Sequence, residues 1–273
     1  MTLAASLDPA ARASRRVGAL LDGRLAVVSG AGRDRGIGKA TAKLFHAHGA
    51  SVALLDLDEA EVKAAAADVA AGGGKAIGIA CDVTSPDSCR AAIERVLAWP
   101  AGHGRIDILV NNAGVTQRRR IADLTAEDYS RITDVVLKGT LQLSQAVLPT
   151  MRSQQSGSIV CVSSMSAQQG GGVFGGAHYC AAKAGVLGLV RAMARELGSD
   201  GIRANAITPG LILTDFSRSG ATDESKHALA RDWPLARAGD PAEIAGACLF
   251  LASDLSSYMT GATLDVNGGA YMR

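Results

Sequence analysis

Aromatic rings are scarce in this chain, at 4% of 273 residues against 48% hydrophobic residues overall. The core material is therefore Ala, Val, Leu and Ile. Neither sign of charge is in excess. Lys and Arg number 28, Asp and Glu 26, for a net +2, so there is no field to draw in nucleic acid or an anionic membrane surface. The same figures exclude bulk disorder, which needs low hydrophobicity and high net charge. No apolar run approaches the ~20 residues that cross a bilayer, and no membrane partner is expected. Cysteines number five (Cys81, Cys89, Cys161, Cys180, Cys248), an odd count without a CxxC pair. That argues against a disulfide framework and for a reducing, cytoplasmic setting. The five histidines show no metal-ligand spacing: His46 and His48 lie two apart and diverge on a helix. No metal is expected.

Glycine, by contrast, is abundant: 32 of 273 residues, well above the usual ~7% and without a repeating period. Many backbone positions lack a side chain, which suits a ligand lying along the main chain. Residues 1–22 have no apolar stretch of the kind a secretory signal needs and carry Asp8 and Pro9 early. They read as an arm, flexible or packed, or as residues ahead of a domain start near Gly23. At about 150 residues per domain the length allows nearly two, yet 24–270 contains no linker, and a single domain over 23–273 is expected.

Short apolar runs alternate with amphipathic segments along that domain. Strands are expected at 25–29, 51–56, from 76, from 106, at 157–164, at 202–210 and near 262–269. Helices are expected after Gly36, at 59–70, from Pro86 to Trp99, over roughly 126–153, at 179–198 and from Pro241. Residues 211–235 read as irregular, polar and lid-like. Strands that are apolar throughout, alternating with helices, imply a doubly wound α/β domain of Rossmann type, its mostly parallel sheet covered on both faces.

The first chemical signal follows the first strand and opens the first helix. Gly30, Gly32, Gly36 and Gly38 in Ser29-Gly30-Ala31-Gly32-Arg33-Asp34-Arg35-Gly36-Ile37-Gly38 remove the Cβ atoms where a dinucleotide pyrophosphate meets backbone N–H groups and the helix dipole. A plain tight turn would explain such glycines equally well. Asp56 adds context: it ends the second strand eighteen residues beyond Gly38, close to the ~20 expected of an acid that accepts a ribose 2′-OH. The second signal is Tyr179 with Lys183, spaced i, i+4 and so on one helix face. A phenol titrates near 10, and a neighbouring ammonium is expected to lower it. Ser163, Ser164 and Ser166 end the preceding strand, where a hydroxyl can reach a reacting oxygen. Arg118-Arg119-Arg120 reads as a solvated loop, with contact to an anionic substrate or carrier as the alternative. His178 and Cys180 flank Tyr179 but point elsewhere on a helix.

In this order the motifs resemble the short-chain dehydrogenase/reductase family over about 24–270. They are the glycine loop, Asp82-Val83, Asn111-Asn112-Ala113-Gly114, the serine with Tyr179-x-x-x-Lys183, and Pro209-Gly210 followed by Thr214. The resemblance implies NAD(P)-dependent oxidoreduction of an alcohol or carbonyl by a homotetramer. Tyr179 would be the general acid/base, Ser164 the anchor of the substrate oxygen, and Lys183 the ligand of the nicotinamide ribose. The phosphates would meet Gly30, Gly32, Arg35, Gly36, Ile37 and Gly38. Asp82 and Val83 would flank adenine, with Asn111, Ala113 and Gly114 along the adenosine side. Pro209, Gly210, Ile212 and Thr214 would border the carboxamide. Asp56 favours NAD, whereas Arg33 and Arg35 suit the extra phosphate of NADP. The substrate class resembles that of polyol and other secondary-alcohol dehydrogenases, with a 3-oxoacyl-(acyl-carrier-protein) reductase as the main alternative. A non-catalytic dinucleotide sensor is the remaining one.

Three departures from the family pattern stand out. Five residues rather than three separate Gly30 from Gly36. Ser166 has the family's thirteen-residue spacing to the tyrosine, whereas Ser164 has its strand-end position. Ser164 is preferred, because the run Gly170-Gly171-Gly172-Val173-Phe174-Gly175-Gly176 accommodates a two-residue insertion. Finally, Val136 stands where the family has an Asn in a kinked helix, whose main-chain carbonyl holds a water of the proton relay. Backbone, not side chain, holds that water. Either the kink persists through local packing, or the helix straightens and the proton leaves by another route. The first is expected, because every other catalytic motif is intact.

Overall fold

A computed structural model describes residues 19–71, 73–171, 175–216 and 221–272. Most of the expected arm and residues 172–174 of the glycine-rich run lie outside the described residues. Leu21, assigned above to the arm, is already core: it is 1% exposed and its amide donates to the His48 carbonyl at 3.0 Å.

Among the described residues seven strands form one sheet: β1 (Leu25–Ser29), β2 (Ser51–Asp56), β3 (Ala76–Ala80), β4 (Ile108–Asn111), β5 (Gly157–Val162), β6 (Ile202–Pro209) and β7 (Thr263–Val266). Their order is β3-β2-β1-β4-β5-β6-β7 and every pairing is parallel. The helices are α1 (Ile37–Ala47), α2 (Glu59–Ala70), α3 (Pro86–Ala98), α4 (Ala126–Thr133), α5 (Gly139–Gln154), α6 (Ser166–Gln169), α7 (Ala177–Leu197), α8 (Asp223–Leu229) and α9 (Pro241–Ala252). Successive β1 residues divide between two cores. Val27 packs with Leu143, Met151 and Val186 from α5 and α7. Ala26 and Val28 pack with Phe45, Val62 and Ile244 from α1, α2 and α9. A strand buried on both faces cannot alternate polar with apolar, which is why these runs are apolar throughout. Among the described residues no helix is long and apolar enough to cross a membrane.

Besides the short α6, which no expectation covered, two segments differ from expectation. The 211–235 segment contains α8, whose N-cap Thr222 accepts from the Ser225 amide at 3.2 Å and whose first turn holds Asp223 and Glu224. Seven residues are too few to show helical periodicity against a polar background. The pattern over 126–153 is not one helix: α4 and α5 are joined by a π segment, Asp134–Lys138, a local widening of a kind frequent at functional sites.

The strand order reverses at β1, with β2 and β3 to one side and β4 to β7 to the other. A crevice therefore opens where the loops after β1 and β4 diverge. Helix starts differ in how they are capped. Asp58, Ser85, Thr125 and Asp240 cap α2, α3, α4 and α9 with their side chains. Helices α1 and α7 start instead at Gly36 and Gly176, with no side-chain cap and no acid in the first turn. Their first amides remain free for an anion or a polar ligand.

Candidate active site

The loop after β1 is drawn tight by its glycines. Gly30 has φ +64°, and a Cβ there would lie 2.8 Å from the Ala113 Cα. A Cβ on Gly38, in the first turn of α1, would collide with the Gly30 carbonyl. The two extra residues of the loop form a turn in which the Gly36 amide donates to the Arg33 carbonyl at 3.0 Å. Beside it, the Asp56 carboxylate accepts from the Gly32 amide and from the Leu57 amide, each at 2.8 Å. A side-chain-free cradle leading into an uncapped helix, with a carboxylate at the tip of the adjacent strand, fits an adenine dinucleotide. Gly30, Gly32, Gly36, Ile37, Gly38 and Asp56 are the residues that would hold its pyrophosphate and ribose.

The end of β4 lies across this loop. Asn112 reaches it, its amide nitrogen Nδ2 donating to the carbonyls of Ser29 at 3.0 Å and Gly30 at 2.9 Å. The Ser29 hydroxyl accepts from the Asn112 and Ala113 amides, both at 3.1 Å. Asn111, expected at the adenosine side, turns the other way. It is the last residue of the strand, and its side chain donates to Ser144 Oγ at 3.0 Å inside the core. Adjacent strand residues face opposite sides, so the motif's two asparagines divide the work. Asp82 closes a turn after β3, accepting from the Thr84 amide at 2.9 Å and hydroxyl at 2.7 Å. Val83 is buried against the position where α5 starts at Gly139.

Beyond the loop three side chains converge. Ser164, just past β5, lies beside Tyr179, where its hydroxyl favours the phenolate, and it accepts from the Ser166 amide at 3.1 Å. Ser166 is the first residue of α6 and is buried. Ser164 is therefore the serine at the tyrosine. Ser164→Ala is expected to cost at least about tenfold more in kcat/KM than Ser166→Ala, the equivalent of one hydrogen bond of ~1.4 kcal/mol. Parallel kinetics on the two variants decide the order.

Lys183 Nζ donates to the Val162 carbonyl at 2.6 Å, while Ser163 Oγ donates to the Lys183 carbonyl at 2.8 Å. The lysine is thus held at both ends of its length, one turn from Tyr179. Its ammonium lies 5.9 Å from the tyrosine ring centroid. The expected fall of the tyrosine pKa does not occur in this arrangement. Burial pushes the phenol up to about 12, the Ser164 hydroxyl offsetting only part of that. Burial likewise brings the lysine down to about 8. Desolvation of each charged form outweighs their attraction, and the ammonium is committed to a carbonyl.

Gly114 borders the same point, since a Cβ there would lie 3.8 Å from both Lys183 Nζ and the Phe216 ring. Phe216, which no sequence motif marks, packs tilted against Tyr179 at 6.4 Å between centroids. Past β6, which ends at Pro209, the Gly210 amide donates to Val266 at 3.0 Å, and Ile212 bridges to Gly239. The Thr214 carbonyl accepts from Lys226 Nζ at 2.5 Å. Arg35, expected at the phosphates, is engaged by Asp223: its Nη2 meets both carboxylate oxygens, at 2.6 and 2.8 Å. In the arginine triplet, Arg119 pairs with Asp128 at 2.9 Å. His178 is buried, with Nε2 3.1 Å from Gln117 Oε1, and the Gln117 carbonyl accepts from the Gly176 amide at 2.9 Å.

A widened π turn forms at this place without the asparagine. Val136 is buried in the π segment, and its carbonyl accepts from Thr140 Oγ1 at 2.7 Å. The widened turn redirects main-chain partners, and the threonine hydroxyl takes up this one. Val136→Asn is expected to change kcat by less than about tenfold, or ~1.4 kcal/mol of barrier, in steady-state assays. A gain of about a hundredfold would mean that the valine impairs the relay.

Comparison with known proteins agrees with this geometry. The sequence model of the family described as enoyl-(acyl carrier protein) reductase matches residues 30–271. An uncharacterized short-chain type dehydrogenase/reductase, y4mP of Sinorhizobium fredii, is 52% identical over 251 residues, 92% of this chain and 98% of its own. The chain belongs to the short-chain dehydrogenase/reductase family. Other members at similar coverage include the 3-oxoacyl-[acyl-carrier-protein] reductases FabG of Vibrio cholerae, 41% identical, and of Escherichia coli, 39% identical; this chain aligns over 92% of its length with each, and over 99% and 98% of theirs. Among solved structures, a short-chain type dehydrogenase/reductase from Mycobacterium marinum superposes with a TM-score of 0.85 at 36% identity, covering 93% of this chain and 97% of its own. As a short-chain dehydrogenase/reductase, the protein is an oxidoreductase acting on CH–OH and keto groups.

Proposed function

We propose that the chain is an NAD-linked dehydrogenase/reductase of secondary alcohols and ketones, polyols among them, acting as a homotetramer in the cytoplasm. The observation that carries the reading is the cluster of Ser164, Tyr179 and Lys183 at the mouth of a glycine cradle guarded by Asp56. A bound nicotinamide dinucleotide supplies or accepts the hydride. In the reducing direction the Tyr179 hydroxyl gives its proton to the carbonyl oxygen, while Ser164 Oγ donates a hydrogen bond to that same oxygen. A phenol held near 12 is fully protonated at neutral pH, so it is ready to act as the acid. Lys183, near 8, is mostly an ammonium at pH 7 and can grip ribose hydroxyls from its seat beside Gly114. The oxidising direction starts from the tyrosinate: the phenol's own proton must first leave to solvent, and the Tyr179 oxygen then takes the proton of the substrate hydroxyl. The Phe216 ring, tilted against Tyr179, gives the reacting centre an apolar wall.

Asp56 supports NAD over NADP, because its carboxylate at the end of β2 would repel a 2′-phosphate. The tetramer rests on the family resemblance. A second reading, reduction of 3-oxoacyl thioesters, is favoured by relatives of that name at about 40% identity. One experiment separates the two: kcat/KM for a panel of polyols, simple ketones and a 3-oxoacyl-carrier-protein thioester, each with both coenzymes. The proposal expects turnover of a secondary alcohol or ketone with NAD(H) ahead of NADP(H). A thioester preferred over every free alcohol and ketone would replace it with the second reading.

A further inference from the structure

Every cation on or beside the glycine loop is already matched. Arg35 Nη2 meets both carboxylate oxygens of Asp223 at 2.6 and 2.8 Å, and its Nη1 lies 3.8 Å from Asp215 Oδ1. Arg33 Nη1 donates to the Asp215 carbonyl at 3.4 Å. Lys39, on α1, pairs with Asp34 at 2.5 Å and Asp68 at 2.7 Å. Arg33 and Arg35 are the groups that would otherwise complement the 2′-phosphate of NADP, since guanidinium and phosphate form charge-assisted pairs. Arg33 and Arg35 follow Gly32 by one and three residues, and the Gly32 amide is bound to Asp56, the acid placed at the ribose. The partners of the two arginines come from 182 and 188 residues away, on the 211–235 segment and α8. That segment is fixed in turn by the buried Lys226, which donates to the Thr214 carbonyl at 2.5 Å.

We infer that Asp223, supported by Asp215, is a coenzyme-specificity residue: it withholds Arg35 from the 2′-phosphate of NADP. The preference for NAD then has two independent sources. Asp56 repels the phosphate, and Asp223 removes the cation that would attract it. The inference rests on the NAD-linked reading above, and it places one of the two sources of selectivity at the start of α8.

The test is calorimetric binding of NAD+ and NADP+, with no turnover involved, to the wild-type chain, Asp223→Asn, Asp215→Asn/Asp223→Asn and the double variant Arg35→Ala/Asp223→Asn. NADP+ is expected to bind about tenfold more tightly to the first two variants. NAD+ should stay within about twofold, which also shows that the variants are folded. Adding Arg35→Ala should erase the gain. Asp223→Ser is measured alongside, because serine also suits a helix N-terminus. An unchanged NADP+ affinity overturns the inference while leaving the NAD reading intact. Equal tightening of both coenzymes, or loss of both in Asp223→Asn and Asp223→Ser, also overturns it, since Asp223 would then act only on the general shape of the site. Tighter NADP+ than NAD+ binding by the wild-type chain would overturn the NAD reading itself, and this inference with it.

Discussion

Tyr179→Phe is expected to lower kcat by about 10²–10⁴-fold, the usual contribution of a positioned acid or base, with coenzyme affinity nearly unchanged. The phenylalanine keeps the ring that packs against Phe216, so the wall of the site survives and only the proton donor is lost. The hydroxyl is buried beside Ser164, and its removal leaves the serine facing the substrate oxygen without a donor of matching reach. Single-turnover rates with bound NADH, read beside a fluorescence titration of coenzyme, separate the two effects. A variant keeping a tenth of the wild-type rate would mean that another group delivers the proton.

Lys183→Ala should damage both steps. The ammonium sits against the Val162 carbonyl at 2.6 Å and would also hold ribose hydroxyls. A hydrogen bond to a charged group contributes about 1.5–3 kcal/mol, so the coenzyme Kd is expected to rise about 10–100-fold and kcat to fall as well. Truncation also leaves a cavity and an unsatisfied carbonyl in a buried place, which lowers stability. Lys183→Met fills the same space without the charge. If Met restores the melting temperature but not coenzyme binding, the loss belongs to the ammonium. If it restores both, the lysine serves packing alone.

Much of this arrangement was legible in the sequence because it depends on local pattern. The strands declare themselves as apolar runs, and the helix at 59–70 is bounded by Asp58 at one end and a glycine cluster at the other. Tyr179 and Lys183 share a face by spacing alone. What the sequence does not contain is phase and distance. Asn111 and Asn112 are neighbours of one residue type, and only the register of β4 decides which reaches the glycine loop. Arg35 looks like a phosphate ligand until its partner, 188 residues on, comes into view. The titration of Tyr179 depends on how completely α7 is covered, a property of the assembled core that no i, i+4 rule reports. Phe216 lies in a segment whose composition marks no function.

The π segment at Asp134–Lys138 bears on how this lineage tolerates insertions and deletions. A π turn spends about one residue more than the α-helix it interrupts. Losing any one residue between 134 and 138 therefore allows the chain to close as continuous α-helix, with α4 and α5 still registered on the core. The same loss within α7 would rotate every later side chain by about 100°. Residues 134–138 are thus a place where length can drift without unfolding, while the Val136 carbonyl and the Thr140 hydroxyl it accepts from would lose their present geometry. Length variation there should track changes in proton handling rather than in folding.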